Sequence, residues 1–344
     1  MSTPTPQLSL PPELEREIFE TASVRNPESI PALLLVCRRV NVWILPFLYR
    51  VFVMSARINQ SALDPILHAF TSKPPEFLES AVRHIFLHKF ANIDKYRGLL
   101  AKCTGAVNLS LDVDVELKSL LPLHMPRLQR LAITVPSFRD PDWSWTASFT
   151  SITHLDLFQG ADRGGTDTEK WQKWAGLASL ASLTHLALSP SIAEGILQRI
   201  MEEMPHILLL VVTCYAWGRD DGISFAENSL TVRDPRIVVI VIQAKYEEDW
   251  RLGAWGRDDS WVRAEEFVAR KRAGQVEASC YLIGKEMRRR RWVFGVCAGN
   301  GRPDRRGWGR ERSFVSRRSA WAAGTAKPYA KDTEGRNETQ SDPA

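Results

Sequence analysis

A six-residue motif, apolar-x-x-apolar-x-apolar, recurs between residues 82 and 242 and constrains the fold more than any other feature of this chain. It stands at VRHIFL (82–87), AVNLSL (106–111), LQRLAI (128–133), ITHLDL (152–157), LTHLAL (183–188), ILLLVV (207–212) and IVVIVI (237–242). Its fourth positions are Ile85, Leu109, Leu131, Leu155, Leu186, Leu210 and Ile240, spaced 24, 22, 24, 31, 24 and 30 residues apart. A short strand turns alternate side chains to one side, and a return segment brings the chain back to the next strand. A unit so small cannot bury its own apolar face, so the units must stack on one another.

Self-similarity at this period, with this placement of leucines, is the pattern of leucine-rich repeats. The fold class expected is therefore α/β, with an irregular leucine-rich-repeat-like solenoid over residues 80–243. The repeats lack the usual asparagine or cysteine after the motif, and inserts at 159–174 and 216–229 stretch two spacings. An ordinary α/β domain with buried strands of similar texture is the plainer alternative; seven registrations favour repeats. Residues 244–284 are expected to cap the array. There WVRAEEFVARKRAG puts Val262, Phe267 and Val268 on one helical face and ends at Gly274, and this helix is expected to cover the last strand edge.

Charge separates the body from the tail. Residues 285–344 hold 15 Lys/Arg against 7 Asp/Glu, a balance of +8, which leaves −3 for the rest of a chain whose net charge is +5. From Lys285 the arginines, glycines and scattered tryptophans follow no period, and this basic tail is expected to be of low order, as are residues 1–8. Arginines interleaved with Trp292, Trp308 and Trp321 suit phosphate contact with base stacking, or nuclear import. A floppy basic extension is the simpler reading, and no nucleic-acid partner is expected. Five cysteines without a CxxC pair, no signal-peptide layout and no apolar run of membrane-spanning length point to an intracellular protein, cytoplasmic or nuclear, with no membrane partner.

The N-terminal residues pose a different problem. In LSLPPELEREIFE, prolines open a helix over residues 12–22, Glu13, Glu15 and Glu17 lie at its positive end, and Leu14, Ile18 and Phe19 share a stripe. A second helix is expected from Ser29 through Arg39 and a third segment over 40–53, punctuated by Pro46. These apolar faces are too large for so small a unit to bury alone.

The stretch resembles an F-box, the helical module that docks on the Skp adaptor of cullin–RING ubiquitin ligases. Leu10-Pro11, Leu14, Ile18-Phe19 and Leu35-Val36-Cys37-Arg38 stand where that family has its Leu-Pro, apolar and Val-Cys positions. The family's tryptophan three residues after the cysteine is Val40 here, and a tryptophan follows at Trp43. The trailing ILPFLYRVF, followed by a leucine-rich array, is similar to F-box-like proteins abundant in mushroom-forming fungi. The resemblance implies an F-box-like helical module over residues 9–54 and a helical connector over 55–79. It also implies an adaptor-binding set of Leu10, Pro11, Leu14, Ile18, Phe19, Leu35, Val36, Cys37 and Trp43.

No catalytic constellation is legible, and neither cofactor nor metal is expected. His154 and His185 occupy matched repeat positions and are placed to stack, but read as solvent-side spacers. Asp112 and Asp114 would share an exposed strand face without a partner, and Cys37 reads as packing within an apolar helix. Trp143, Trp145, Trp171 and Trp174, on or beside inserts, are candidate target-binding residues. The function expected is thus a non-enzymatic substrate receptor of a Skp–cullin–F-box ligase: the module takes the adaptor, and through it a cullin, while the concave face of the repeats takes an unknown target protein. The alternative is a stand-alone leucine-rich-repeat scaffold, in which Leu14, Ile18 and Phe19 would pack internally.

Overall fold

The seven motifs become seven strands, and one more precedes them. In the computed structural model, residues 10–54, 60–88, 93–111, 125–134, 149–158, 167–190, 196–215, 219–242 and 246–283 are described. The chain divides into two units, Met1–Trp292 and Val293–Ala344, and every described residue belongs to the first. The strands are β1 (Val51–Met54), β2 (His84–Leu87), β3 (Asn108–Leu111), β4 (Arg130–Thr134), β5 (His154–Phe158), β6 (His185–Leu188), β7 (Leu209–Tyr215) and β8 (Ile237–Ile242). They form one sheet in chain order, with every neighbouring pair parallel. The α/β class is as expected.

Parallel neighbours need a crossover, and here helices supply many of them. The helices α1 (Pro12–Arg25), α2 (Ile30–Leu33) and α3 (Arg38–Tyr49) precede the sheet. Between strands lie α4 (Gln60–Thr71), α5 (Pro75–Ala81), α6 (Ile93–Lys102), α7 (Asp167–Trp174), α8 (Leu197–Glu203) and α9 (Arg219–Ser224). The register sets Ile85, Leu109, Leu131, Leu155, Leu186 and Leu210 in one row across β2–β7, with Leu87, Leu111, Ile133, Leu157, Leu188 and Val212 in a second. Both rows face the connecting segments and join Leu78, Tyr96, Leu100, Trp174, Leu177, Ile200 and Phe225 in the main core. Burying these rows is the dominant favourable term, at ~1.5–3 kcal/mol for each fully buried leucine-sized side chain.

Three expectations need correction. First, the register of the seventh motif is shifted by three residues: Ile237, not Ile240, aligns with Leu210, and Ile240 faces the opposite side. Every residue of IVVIVI is apolar because β8 is covered on both faces, so its pattern carried no register. Second, residues 9–54 are not wholly helical, since their last four form β1. Phe52 and Met54 point into the main core while Val51 and Val53 point to the other face, an alternation hidden at the end of an apolar helix. The second expected helix also breaks: α2 stops at Leu33, and Cys37 is the extended residue that begins α3.

Third, the C-terminal helix does not cover the strand edge. After β8 come α10 (Tyr246–Ala254) and α11 (Ser260–Arg272), which lie on the face opposite the connecting helices. Ala264, Phe267 and Val268 of α11 pack on Ala187, Leu209, Val211, Val238 and Ile240, a broader apolar surface than any edge offers. Val262, assigned to that stripe, is exposed instead. Asp259 caps α11 by accepting from the Val262 N–H at 3.0 Å, and Gly274 stops it at φ +69°, a left-handed position that favours glycine. The β8 edge is met by the segment after the helix, where the Val239 N–H donates to Tyr281 O at 2.7 Å and the Ile283 N–H to Val239 O at 3.0 Å.

Candidate functional site

Two regions depart from the rule that apolar groups go inside and polar groups outside. The first is the N-terminal helices. Among the described residues, the large apolar side chains left exposed gather there: Leu10, Leu14, Ile18, Leu35, Val36, Val42 and Leu48, against Leu208, Leu252 and Val262 elsewhere. The cause is local. The unit has its own small core of Ile30, Val40 and Ile44, flanked by Phe19, Leu33, Leu34, Trp43, Phe47 and, from beyond α10, Trp255. That core takes one side of α1, so Leu14 and Ile18, one turn apart on another side, are left 47% and 54% exposed. Leu35 and Val36 stand in the turn between α2 and α3, where no helix face can cover them, and Leu35 is 85% exposed.

The module is held from two sides. Arg39 of α3 pairs with Glu15 of α1 and lays its guanidinium 5.2 Å from the Trp43 ring centre. Arg257 donates to Arg25 O at 2.7 Å, tying the turn after α10 to the end of α1. The expected adaptor set divides accordingly. Leu10, Pro11, Leu14, Ile18, Leu35, Val36 and Cys37 are exposed, whereas Phe19 and Trp43 are half-buried in the module's own core. Cys37 does not pack in a helix interior as read from sequence; its thiol is exposed at the start of α3. Val40, at the family's tryptophan position, is buried, so that position turns inward here. Val42 and Leu48 are exposed apolar positions that sequence reasoning missed, although Val42 lies opposite Val40 and Ile44 on the α3 wheel.

The second region is the sheet face beneath α10 and α11. Across β2–β6 its first row reads His84, Asn108, Arg130, His154, His185, and its second row includes Phe86, Ser110, Ala132, Asp156 and Ala187. These side chains are buried or half-buried. The Trp250 indole N–H donates to Asn108 Oδ1 at 3.2 Å, Arg130 donates to Asp259 Oδ2 at 2.9 Å, and the Tyr246 hydroxyl donates to Asp156 Oδ2 at 2.8 Å. Asp249 accepts from the Ser260 N–H at 2.9 Å and from Arg263 at 2.5 Å. Gly253 makes the close approach possible, because a Cβ there would stand 2.0 Å from Asp259 Oδ2. His154 and His185 stack as the matched positions predicted, with centres 4.2 Å apart and planes 9° from parallel. They are not solvent-side spacers: Trp261 covers them edge-on and Glu265 reaches them from α11.

Burial sets the charge states of this layer. It pushes His84 down to about 3, with Arg50, Arg130 and Arg83 adding to the shift. His154 is also driven to about 3, by burial and then by His185 and Arg130. Burial raises Asp156 to about 7; the Tyr246 hydrogen bond opposes this and Asp249 adds to it. The cavity among these groups is about 20 Å³, lined by Asn108, Arg130, Asp156, Tyr246, Trp250 and Asp259. That is room for roughly one water molecule, not for an organic substrate.

Among the tryptophans assigned to target binding, Trp171 and Trp174 are withdrawn, because both are buried in the main core against the leucine rows. Trp143 and Trp145 lie outside the described residues, as do Asp112, Asp114 and the tail from Lys285. Among the described residues, no helix is long and apolar enough to cross a membrane. No family model, curated protein or solved structure matches the chain.

Proposed function

We propose that the chain is a non-enzymatic substrate receptor of a Skp–cullin–F-box ubiquitin ligase. In this reading residues 9–50 are an F-box-like module, and the strands with their returns are the units of an irregular leucine-rich-repeat-like solenoid. The observation that carries the proposal is the exposure of Leu10, Leu14, Ile18, Leu35 and Val36 at the positions the F-box resemblance assigns to adaptor contact. Soluble surfaces rarely gather so many large apolar side chains without a partner, and a helix-packing interface of this kind needs a few well-placed apolar anchors. The same exposure disfavours the stand-alone scaffold, which requires Leu14 and Ile18 to pack internally. A target protein would dock away from the sheet face that α10 and α11 cover, and Trp143 and Trp145 are the candidates for that contact.

The test is capture of the full chain by a purified Skp-type adaptor at micromolar concentration. The matched variant is Leu14→Ala/Ile18→Ala/Leu35→Ala, which spares the half-buried Phe19 and so keeps the module's core. Capture of the intact chain with loss in the folded variant supports the receptor role. No capture of either chain leaves a repeat scaffold with a look-alike cap.

A further inference from the structure

The geometry points to a divalent transition-metal site at His154, His185 and Glu265, a zinc-type centre that pins α11 to strands β5 and β6. It is independent of the adaptor reading. The ligand atoms of these three residues lie within 4.8 Å of one another, with His185 Nε2 at 3.1 Å and His154 Nε2 at 4.0 Å from Glu265 Oε1.

What argues for a cation is the hydrogen-bonding behind the rings. Thr153 and Thr184 each precede a histidine, and each hydroxyl stands 2.8 Å from that histidine's Nδ1. The same hydroxyls contact carbonyls, Thr153 Oγ1 to Gln129 O at 3.2 Å and Thr184 Oγ1 to Thr153 O at 3.3 Å. A hydroxyl has one hydrogen, so both of its contacts are met at once only if it donates to the carbonyl and accepts from Nδ1–H. Each imidazole then presents a bare Nε2 lone pair on the side of Glu265. His154 Nε2 is buried and has no hydrogen-bond partner. Two lone pairs and a carboxylate turned on one point repel unless a positive ion lies between them.

Arg130, beside His154 in the same row, is engaged by Asp259 and does not supply that charge. A metal ion satisfies all three groups, and the threonine hydroxyls serve as the outer partners that fix a ligating histidine's tautomer. Two histidines and one glutamate with a further position open to water is an established zinc ligand set, with bonds of about 2.0–2.2 Å. Closing to those distances requires the stacked rings to tilt toward one ion and Glu265 to swing inward. Glu265 is free to do so, because its side chain is 49% exposed, and its exposure also leaves an entry path.

The experiment uses the full chain, stripped with a chelator and titrated with Co²⁺ and then Zn²⁺. Expected are one ion per chain, visible cobalt d–d bands without a thiolate charge-transfer band, and a melting temperature that rises with zinc. Glu265→Gln removes a half-exposed carboxylate and is expected to leave the apo fold intact by circular dichroism while abolishing stoichiometric binding. Thr184→Val is expected to weaken binding by roughly 10–100-fold, the usual cost of losing an outer partner. Absence of stoichiometric binding, undiminished binding in Glu265→Gln, or a thiolate band would each overturn the site.

Discussion

The N-terminal helices turn their surplus of apolar side chains outward, whereas the sheet face under α10 and α11 turns its surplus of polar side chains inward. The contrast is one of completeness. Several polar groups of the inner layer find counterparts on or beside α10 and α11: Asn108 with Trp250, Arg130 with Asp259, Asp156 with Tyr246. Leu14, Ile18 and Leu35 find no counterpart among the described residues. Buried polar groups are costly unless paired and so specify one seating of the C-terminal helices. Exposed apolar groups cost little in the free chain and gain only when something covers them. One region is thus built to close on itself, the other to be closed by a partner.

The contrast breaks most visibly at Trp250. It is buried against Phe86 and holds Asn108, so Trp250→Ala removes a large side chain and orphans an amide oxygen. A loss of ~3–5 kcal/mol in urea unfolding is expected. Next comes the Arg130–Asp259 pair, in which the Asp259 side chain is 5% exposed and that of Arg130 32% exposed. Arg130→Met leaves Asp259 buried without its charge partner, at a cost of about 2 kcal/mol after allowance for Arg130's exposure. Adding Asp259→Asn in that background is expected to recover part of the loss. Asparagine caps a helix as well as aspartate, so a double variant no more stable than Arg130→Met alone would mean that the unpaired charge is not what matters.

The inner layer also predicts a dependence on pH. His84 and His154 have folded values of about 3, below the 6.5 of the unfolded chain, so from about pH 4 to 6.5 the unfolded state holds protons that the folded state does not. Stability contributed by these histidines therefore rises with pH, and His185, lowered for the same first reason, adds to the rise. Asp156 has the opposite sign. Its folded value of about 7 lies above 3.8, so the folded state keeps a proton the unfolded state has released, and stability falls as pH climbs through that window. Asp156→Asn mimics the protonated acid and removes the opposing contribution. The pH slope of stability between about 4 and 6.5 is expected to steepen by ~1.4 kcal/mol per pH unit, one proton's worth. An unchanged slope would mean that Asp156 ionises in the folded protein.

The two regions were also unequally legible. The leucine rows announced themselves because one face of each strand is apolar at fixed intervals, and β2 through β7 fall where the motif places them. The opposite face misled, because His84, Asn108, Arg130, His154 and His185 look like solvent-facing residues. Their partners Asp259, Trp250 and Glu265 lie roughly a hundred residues away, and no local pattern links them. A signal was present in the second row: Phe86, Ala132, Ala187 and Val211 are poor choices for a wet surface. β1 was missed for the converse reason: beyond the single Arg50, VFVM reads as more of the apolar run of α3, and four residues are too few to show an alternation. The exposed N-terminal face was read correctly in kind, but sequence could not tell Phe19, which turns into the module's core, from Leu14 and Ile18, which do not.

That last distinction supplies the smallest effect and the sharpest test of the contrast. Leu14→Ala and Ile18→Ala remove side chains with about half of their surface already in water, so neither should move the unfolding free energy by more than ~0.5 kcal/mol. Phe19→Ala, on the same helix, should cost more, because Phe19 packs against the Ile30, Val40 and Ile44 core. Urea unfolding followed by tryptophan fluorescence reads all three, with Trp43 and Trp255 flanking that core. If Leu14→Ala and Ile18→Ala destabilise the chain as much as Phe19→Ala, the stripe is buried in the free protein and needs no partner. If they leave stability untouched yet cost ~2 kcal/mol or more in adaptor affinity, their apolar character is there for binding and not for folding.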